Sequence, residues 1–300
     1  MLKELMTAIS HITGVEFVQA SKEEIAKLES LNLPEDFTNY FLSYNGTKKF
    51  NLGDLWICSI ANVLVENNEL VPGRDVSKYG YIVFATNLGG DAYCFDLSKE
   101  GIEYTLDKTP IVMFDHEEDY EIMSKQQVSE YAEKIADNLV MFLQDELLKE
   151  LMTRISNQTG VEFVQVSEEK IAKLESLNLP EDFINYFLSY NGKREFDLGD
   201  LRVYSIDDVL MENYEWVPGR DVSKCGYIVF AANLGGDVYC FDLSKEGIEY
   251  TLDNTPIVMF DHEEDFEIMS KQQVSGYAEK IADNLVMFLQ DQLKKRENNL

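Results

Sequence analysis

Histidine, cysteine and proline are scarce in this chain: three, four and six among 300 residues. Of His11, His116 and His262 only one position is shared by the two copies described below, and neither a Gly-x-Ser-x-Gly elbow nor a nucleophile–base spacing accompanies it. Acyl-transfer chemistry has no visible basis. The cysteines (Cys58, Cys94, Cys225 and Cys240) form no CxxC and no Cys/His spacing, which excludes a zinc motif. Four thiols cannot staple so long a chain, so a reducing, cytoplasmic compartment is expected. Basic residues are few: 26 Lys and Arg face 55 Asp and Glu, a net charge of −29. Such a chain repels phosphates and anionic lipid surfaces, which argues against nucleic acid and membrane partners and for a basic protein partner. No run of about 18 apolar residues offers a membrane span. The opening MLKELMTAISHITG reads as a short amphipathic helix without the features of a signal peptide.

What is abundant is repetition. Gly14 matches Gly160, Pro34 matches Pro180, Gly89 matches Gly235 and Asp145 matches Asp291, always 146 residues apart. Only 26 mismatches fall in the 145 aligned positions from Leu2 to Glu146. The period is domain-sized, well beyond the roughly 20–50 residues of solenoid repeats. Two tandem domains are therefore expected, 1–146 and 147–300. The acidity is shared between them, −15 over residues 1–146 and −14 over the rest, so it is not a tail.

Within one copy, the hydrophobic period suggests a first helix ended by Gly14, then a short strand at VEFVQ. Ser21-Lys22-Glu23-Glu24 fits a helix capping box; with Lys170 at the glutamate position, only Ser167 is left to cap in the second copy. A helix from Pro34 should end at Asn45-Gly46 in a left-handed exit. A strand FNLGDLWICSI and a helix around ANVLVENNEL follow. Next come YIVFAT, a Gly89-Gly90 turn, AYCFDL, a Lys99-Glu100-Gly101 turn, IEYTLD and IVMFD, read as an antiparallel meander. A long helix, VSEYAEKIADNLVMFLQDELL, closes the copy. From Val128 to Ile155 there is no proline or glycine, so this helix is expected to continue into the second copy as a stiff junction. The fold class is α+β, two copies of a mainly antiparallel sheet flanked by helices.

Candidate chemistry dissolves on inspection. Gly89-Gly90-Asp91 precedes a strand, whereas a phosphate loop needs a following helix, so it reads as a hairpin turn. Asp115-His116-Glu117-Glu118-Asp119, repeated at 261–265, lacks EF-hand spacing and reads as a solvated acidic loop. Cys94 and Cys240 alternate inside an apolar strand as inert core residues. Paired carboxylates are too numerous to single out a glycosidase pair. No catalytic, cofactor-binding or metal residue is assigned, and no enzyme is expected.

The order of elements resembles the SUKH superfamily, the Smi/Knr type of domain. The residues that carry the likeness are Leu33-Pro34, Phe37, Tyr40-Phe41, Asn45-Gly46, Asn87, Gly89-Gly90-Asp91, Tyr93 and Phe95-Asp96. Their counterparts are Leu179-Pro180, Phe183, Tyr186-Phe187, Asn191-Gly192, Asn233, Gly235-Gly236-Asp237, Tyr239 and Phe241-Asp242. The resemblance implies an α+β fold and a non-enzymatic binding role. Bacterial members act as immunity proteins that neutralise polymorphic toxins, often nucleases; fungal members regulate cell-wall assembly. An immunity protein is the leading expectation, and a regulatory scaffold bridging partners through two similar domains is the alternative. No binding residue transfers from the family.

The two copies themselves point to a surface. Positions 47–70 hold 12 of the 26 mismatches, whereas 93–146 hold four. Trp56 and Cys58 become Arg202 and Tyr204, while Leu55 and Ile57 stay apolar, so the changing face is expected outside the core. Asn68 and Leu70 become Tyr214 and Trp216. Trp, Tyr and Arg are favoured interface anchors. These eight residues, with the acidic rim Glu117, Glu118, Glu263 and Glu264, are the candidate partner contacts. Drift in a tolerant loop region is the other reading of the same divergence.

Overall fold

The computed structural model describes residues 2–99 and 101–298, and the chain divides into two compact units between Glu150 and Leu151. The first runs α1 (Leu2–Thr13), α2 (Lys22–Glu29), α3 (Glu35–Ser43), β1 (Phe50–Leu52), β2 (Leu55–Ile57), α4 (Ile60–Asn68), α5 (Gly73–Ser77), β3 (Tyr81–Asn87), β4 (Ala92–Asp96), β5 (Ile111–Phe114), α6 (Lys125–Tyr131) and β6 (Glu133–Ala136). Helix α7 (Leu139–Thr159) ends the first copy and opens the second. Then follow α8 (Glu168–Glu175), α9 (Glu181–Ser189), β7 (Phe196–Leu198), β8 (Leu201–Val203), α10 (Ile206–Tyr214), α11 (Gly219–Ser223), β9 (Tyr227–Asn233), β10 (Val238–Asp242), β11 (Ile257–Phe260), α12 (Lys271–Tyr277), β12 (Glu279–Ala282) and α13 (Leu285–Asn298).

Each unit holds a six-stranded antiparallel meander, β1 to β6 and β7 to β12, in sequence order. This is the expected α+β class. The central strand β3 is buried along Tyr81–Thr86, which explains its near-continuous apolar run. On one face Tyr81, Val83, Cys94, Phe114, Tyr120 and Val128 form a core. On the other, Phe84 stacks on Phe95 at 4.4 Å between ring centres, with Phe37 and Phe142 edge-on to the pair. The second unit repeats both layers through Phe230, Phe241 and Phe288.

Several local expectations change. VEFVQ makes one isolated bridge, Phe17 to Gly46, and joins no named strand. FNLGDLWICSI is a hairpin, turning at Gly53 with φ +61°, where a side chain would be strained. Asn45-Gly46 is no left-handed exit: buried Asn45 accepts the Ile60 amide through Oδ1 at 3.0 Å and ties α3 to α4. Residues 102–107 form no strand, and Glu100, in the expected Lys99–Gly101 turn, lies outside the described residues. The long closing helix is interrupted: α6 stops at Tyr131, and 133–136 pair with β5 instead. An open strand edge offers ladder hydrogen bonds that outweigh helix propensity over four residues. Downstream, α7 is continuous from Leu139 to Thr159, shorter than the 128–155 span suggests but crossing the repeat junction.

Candidate protein-binding groove

Strand β8 positions the divergent face. Leu201 and Val203 are buried, while Arg202 between them points outward and pairs across the hairpin with Asp197 at 3.3 Å and with Glu195 at 3.4 Å. In the first copy the equivalent Trp56 is 36% exposed. Cys58 departs from the expectation: it is only 4% exposed, and burial pushes its thiol up to about 12. Beyond Ile57 the ladder continues into the Cys58 amide, which donates to the Phe84 carbonyl, so the side chain turns inward. Cys58 is thus not part of an exposed contact face. Asn68 and Leu70 are exposed, as are Tyr214 and Trp216, and so are Glu117, Glu118, Glu263 and Glu264 in their loops.

In the second unit a groove of about 490 Å³ brings together parts far apart in sequence. Arg202 and Tyr204 follow from β8, Trp216 from the end of α10, Leu234 to Gly236 from the β9–β10 turn, and His262 from the acidic loop. Trp216 is 49% exposed and Leu234 68%. The floor is polar. Glu212, on α10, is buried at 7% exposure and accepts the Tyr204 hydroxyl at 2.9 Å through Oε1. Burial raises the Glu212 pKa, against the lowering effect of the Tyr204 hydrogen bond, and Asp208 raises it further. Tyr204 is raised for the same reasons, burial first and then the neighbouring Glu212 charge. Tyr214, Glu263 and Glu264 do not line this groove, and Glu212, Glu195 and Leu234, which do, were not among the sequence candidates. A larger hollow of about 810 Å³ lies beside Lys193–Asp197. Its Arg296 is already spent on the Asp197 and Gln158 carbonyls.

The first copy shows most fully what holds the turn equivalent to the groove's β9–β10 wall. Asn87 Oδ1 accepts the amides of Gly90 and Asp91, both at 2.9 Å, and Asn87 Nδ2 donates to Asp91 Oδ2 at 2.7 Å. Asp91 Oδ1 then accepts His116 Nδ1 at 2.7 Å, tying the acidic loop to the turn. Gly90 has φ +104°, a left-handed conformation that favours glycine, and the His116 ring packs against it at ordinary van der Waals distance from where a Cβ would sit. The hydrogen bond to Asp91 raises the His116 pKa. His262 and Asp237 repeat the arrangement at 2.8 Å. Asp91, Asp115 and His116 (and Asp237, Asp261 and His262) bring potential metal-ligand atoms within 4.8 Å of one another. The histidine nitrogen nearest the carboxylates is already occupied by its aspartate. The Asn-Leu-Gly-Gly-Asp motif is therefore explained as scaffolding.

Substitutions between the copies come in touching sets. Glu24 and Ala61 of the first copy are replaced by Lys170 and Asp207, which pair at 2.6 Å. Asn51 and Trp56 are replaced by the cross-strand pair Asp197 and Arg202. Trp216 has no such compensation among the interactions described above.

Fold and surface together define a class: paired α+β domains that differ most in the face carrying Arg202, Tyr204 and Trp216. The family model described as SMI1 / KNR4 family (SUKH-1) matches residues 19–145 and again 165–291, and the chain belongs to this family as a tandem pair of its domains. No curated protein and no solved structure matches the chain. No helix among the described residues is long and apolar enough to cross a membrane.

Proposed function

We propose that this chain is an immunity protein that neutralises a basic bacterial toxin, a nuclease, by stoichiometric binding without chemistry in the cytoplasm. The observation that carries the reading is the charge, −29 spread over both copies. Solubility needs a net charge of only about 2–8 for a small domain. A nuclease presents positive charge to phosphates, and an acidic partner complements that surface and speeds encounter. Family membership supports a binding role, and exposed Trp56 and Trp216 supply anchors of the kind that hold such complexes.

The test is titration of the chain into the nuclease domain encoded by a neighbouring gene. Stoichiometric loss of nuclease activity is expected. Trp56→Ala or Trp216→Ala should weaken the complex through its dissociation rate by about 30- to 1,000-fold, but only where that domain is engaged. Substituting Glu117 and Glu118, or Glu263 and Glu264, should mainly slow association. Exchanging 47–70 with 193–216 should exchange partner preference. Undiminished nuclease activity at excess protein would sink the toxin reading. The duplication favours one second reading, a regulatory scaffold that bridges partners; simultaneous capture of two different proteins would select it.

A further inference from the structure

Glu66 and Glu212 occupy equivalent places on α4 and α10, and both are buried. Their surroundings differ in sign. Glu66 Oε1 is met by the Lys49 ammonium at 2.5 Å, a cation reaching in from the residue before β1. The second copy has Glu195 at that position. Arg202 is turned outward toward Glu195 and Asp197. Tyr204, standing where the first copy has Cys58, hydrogen-bonds Glu212 Oε1. Glu212 Oε2 is buried with no hydrogen-bond partner among the described residues. A buried carboxylate oxygen left without a donor costs stability, about 1–3 kcal/mol or more for a charged group. The first copy avoids that cost with its own lysine.

We propose that the groove over Glu212 is a socket for a lysine side chain of the partner protein, whose ammonium stands to Glu212 as the Lys49 ammonium stands to Glu66. Trp216 and Leu234, both exposed on the groove, flank the aliphatic stem, and Glu195 adds negative charge near the mouth. The ligand is lysine, not arginine. Tyr204 already holds Oε1, so the bidentate fork that favours guanidinium is unavailable, while a single flexible ammonium suffices; Oε2 lies closed to solvent beside Gly219, so the ammonium meets it once the Glu212 side chain turns toward the groove. The segment 193–216 carries −4 against −1 for 47–70, which fits a cation arriving from outside in one copy and supplied from within in the other. The socket rests on the protein-binding function proposed above and specifies which chemical group of the partner it receives.

The test needs no partner protein. In the full chain carrying Trp56→Phe, Trp216 is the sole tryptophan, and its fluorescence reports the groove. Titration with n-butylammonium at constant ionic strength should give a saturable change, and 1-butanol should not. Glu212→Gln should weaken the amine response at least ten-fold. Glu195→Lys, at a solvent-facing position, should do the same by rebuilding the internal lysine, which keeps the test decisive if Glu212→Gln fails to fold. No saturable response, an equal response to butanol, or an unchanged response in Glu195→Lys would overturn the socket. A flat titration removes the socket alone. Toxin neutralisation stands or falls separately, in the nuclease assay.

Discussion

The two copies use one backbone plan and solve one electrostatic problem differently. In the first, buried Glu66 is paired with Lys49. In the second, among the described residues, Glu212 is met by the Tyr204 hydroxyl and its other oxygen has no hydrogen-bond partner. Most of the intervening structure is the same: the meander, the aromatic layers, the Asn-Gly-Gly-Asp turn and its histidine tie recur in both. The difference teaches that a duplicated fold holds its core contacts and spends its variation where a charge partner sits at the surface. A buried charge tolerates loss of its partner only at a cost, so a site that bears this cost is a candidate for binding.

The largest expected effect tests the sameness. Asn67 Nδ2 donates to the carbonyls of Val63 and Val83, and its Oδ1 accepts the Val83 amide, all at 2.8–2.9 Å and buried. Asn213 repeats this with Val209 and Val229. Replacing either by alanine strands a buried amide and a buried carbonyl, those of Val83 or Val229, a loss of about 3 kcal/mol or more. Calorimetry should show equal falls in the transition of the affected unit; unequal falls would break the equivalence of the two scaffolds.

The next effect tests the difference. Lys49→Met should destabilise the first unit by about 2–3 kcal/mol, below the usual range for a broken buried pair because the lysine is partly exposed. Glu195→Lys should move the second unit the opposite way, by about 1 kcal/mol. A Lys49→Met protein that melts like its parent would mean Glu66 does not depend on the lysine.

pH separates the copies more gently. The Glu212 carboxyl is raised above its ordinary 4.5 by burial. A carboxyl whose folded pKa is raised stabilises the fold below its unfolded value and loses that contribution as pH climbs through the folded value. The second unit should therefore weaken as pH rises from about 4.5 toward neutrality, and Glu212→Gln should abolish that component. Chemical denaturation across this range is the measurement; a pH profile unaltered by the substitution would contradict it.

The smallest effect concerns a cap. Ser21 and Glu24 complete a reciprocal capping box on α2, whereas Ser167 makes no side-chain cap bond and Lys170 instead pairs with Asp207. Ser21→Ala should cost about 1 kcal/mol, and Ser167→Ala only a few tenths. Amide exchange in the first turns of α2 and α8 would register this.

Much of the fold was legible. Tyr81–Asn87, Ala92–Asp96 and Ile111–Phe114 are short apolar runs punctuated by Gly89-Gly90, and they became neighbouring strands. The break inside the closing helix was not legible, because Glu133–Ala136 carries a helical apolar period and is drawn into the sheet only by the open edge of β5. The candidate surface divides the same way. Trp56, Trp216, Arg202 and Tyr204 stood out because they differ between copies. Glu212 escaped notice because it does not differ from Glu66; the signal lay in Lys49 becoming Glu195, 17 residues away.

The sequence by itself determined the duplication, the acidity, the order of strands and the family, because these depend on residue identity and spacing along the chain. Only the tertiary structure decided that Cys58 turns inward and that Glu212 is buried in the groove Trp216 lines, with no cation among the described residues paired to it. Burial and pairing depend on which segments fold against one another, and a charge's energy is set by the groups around it in space.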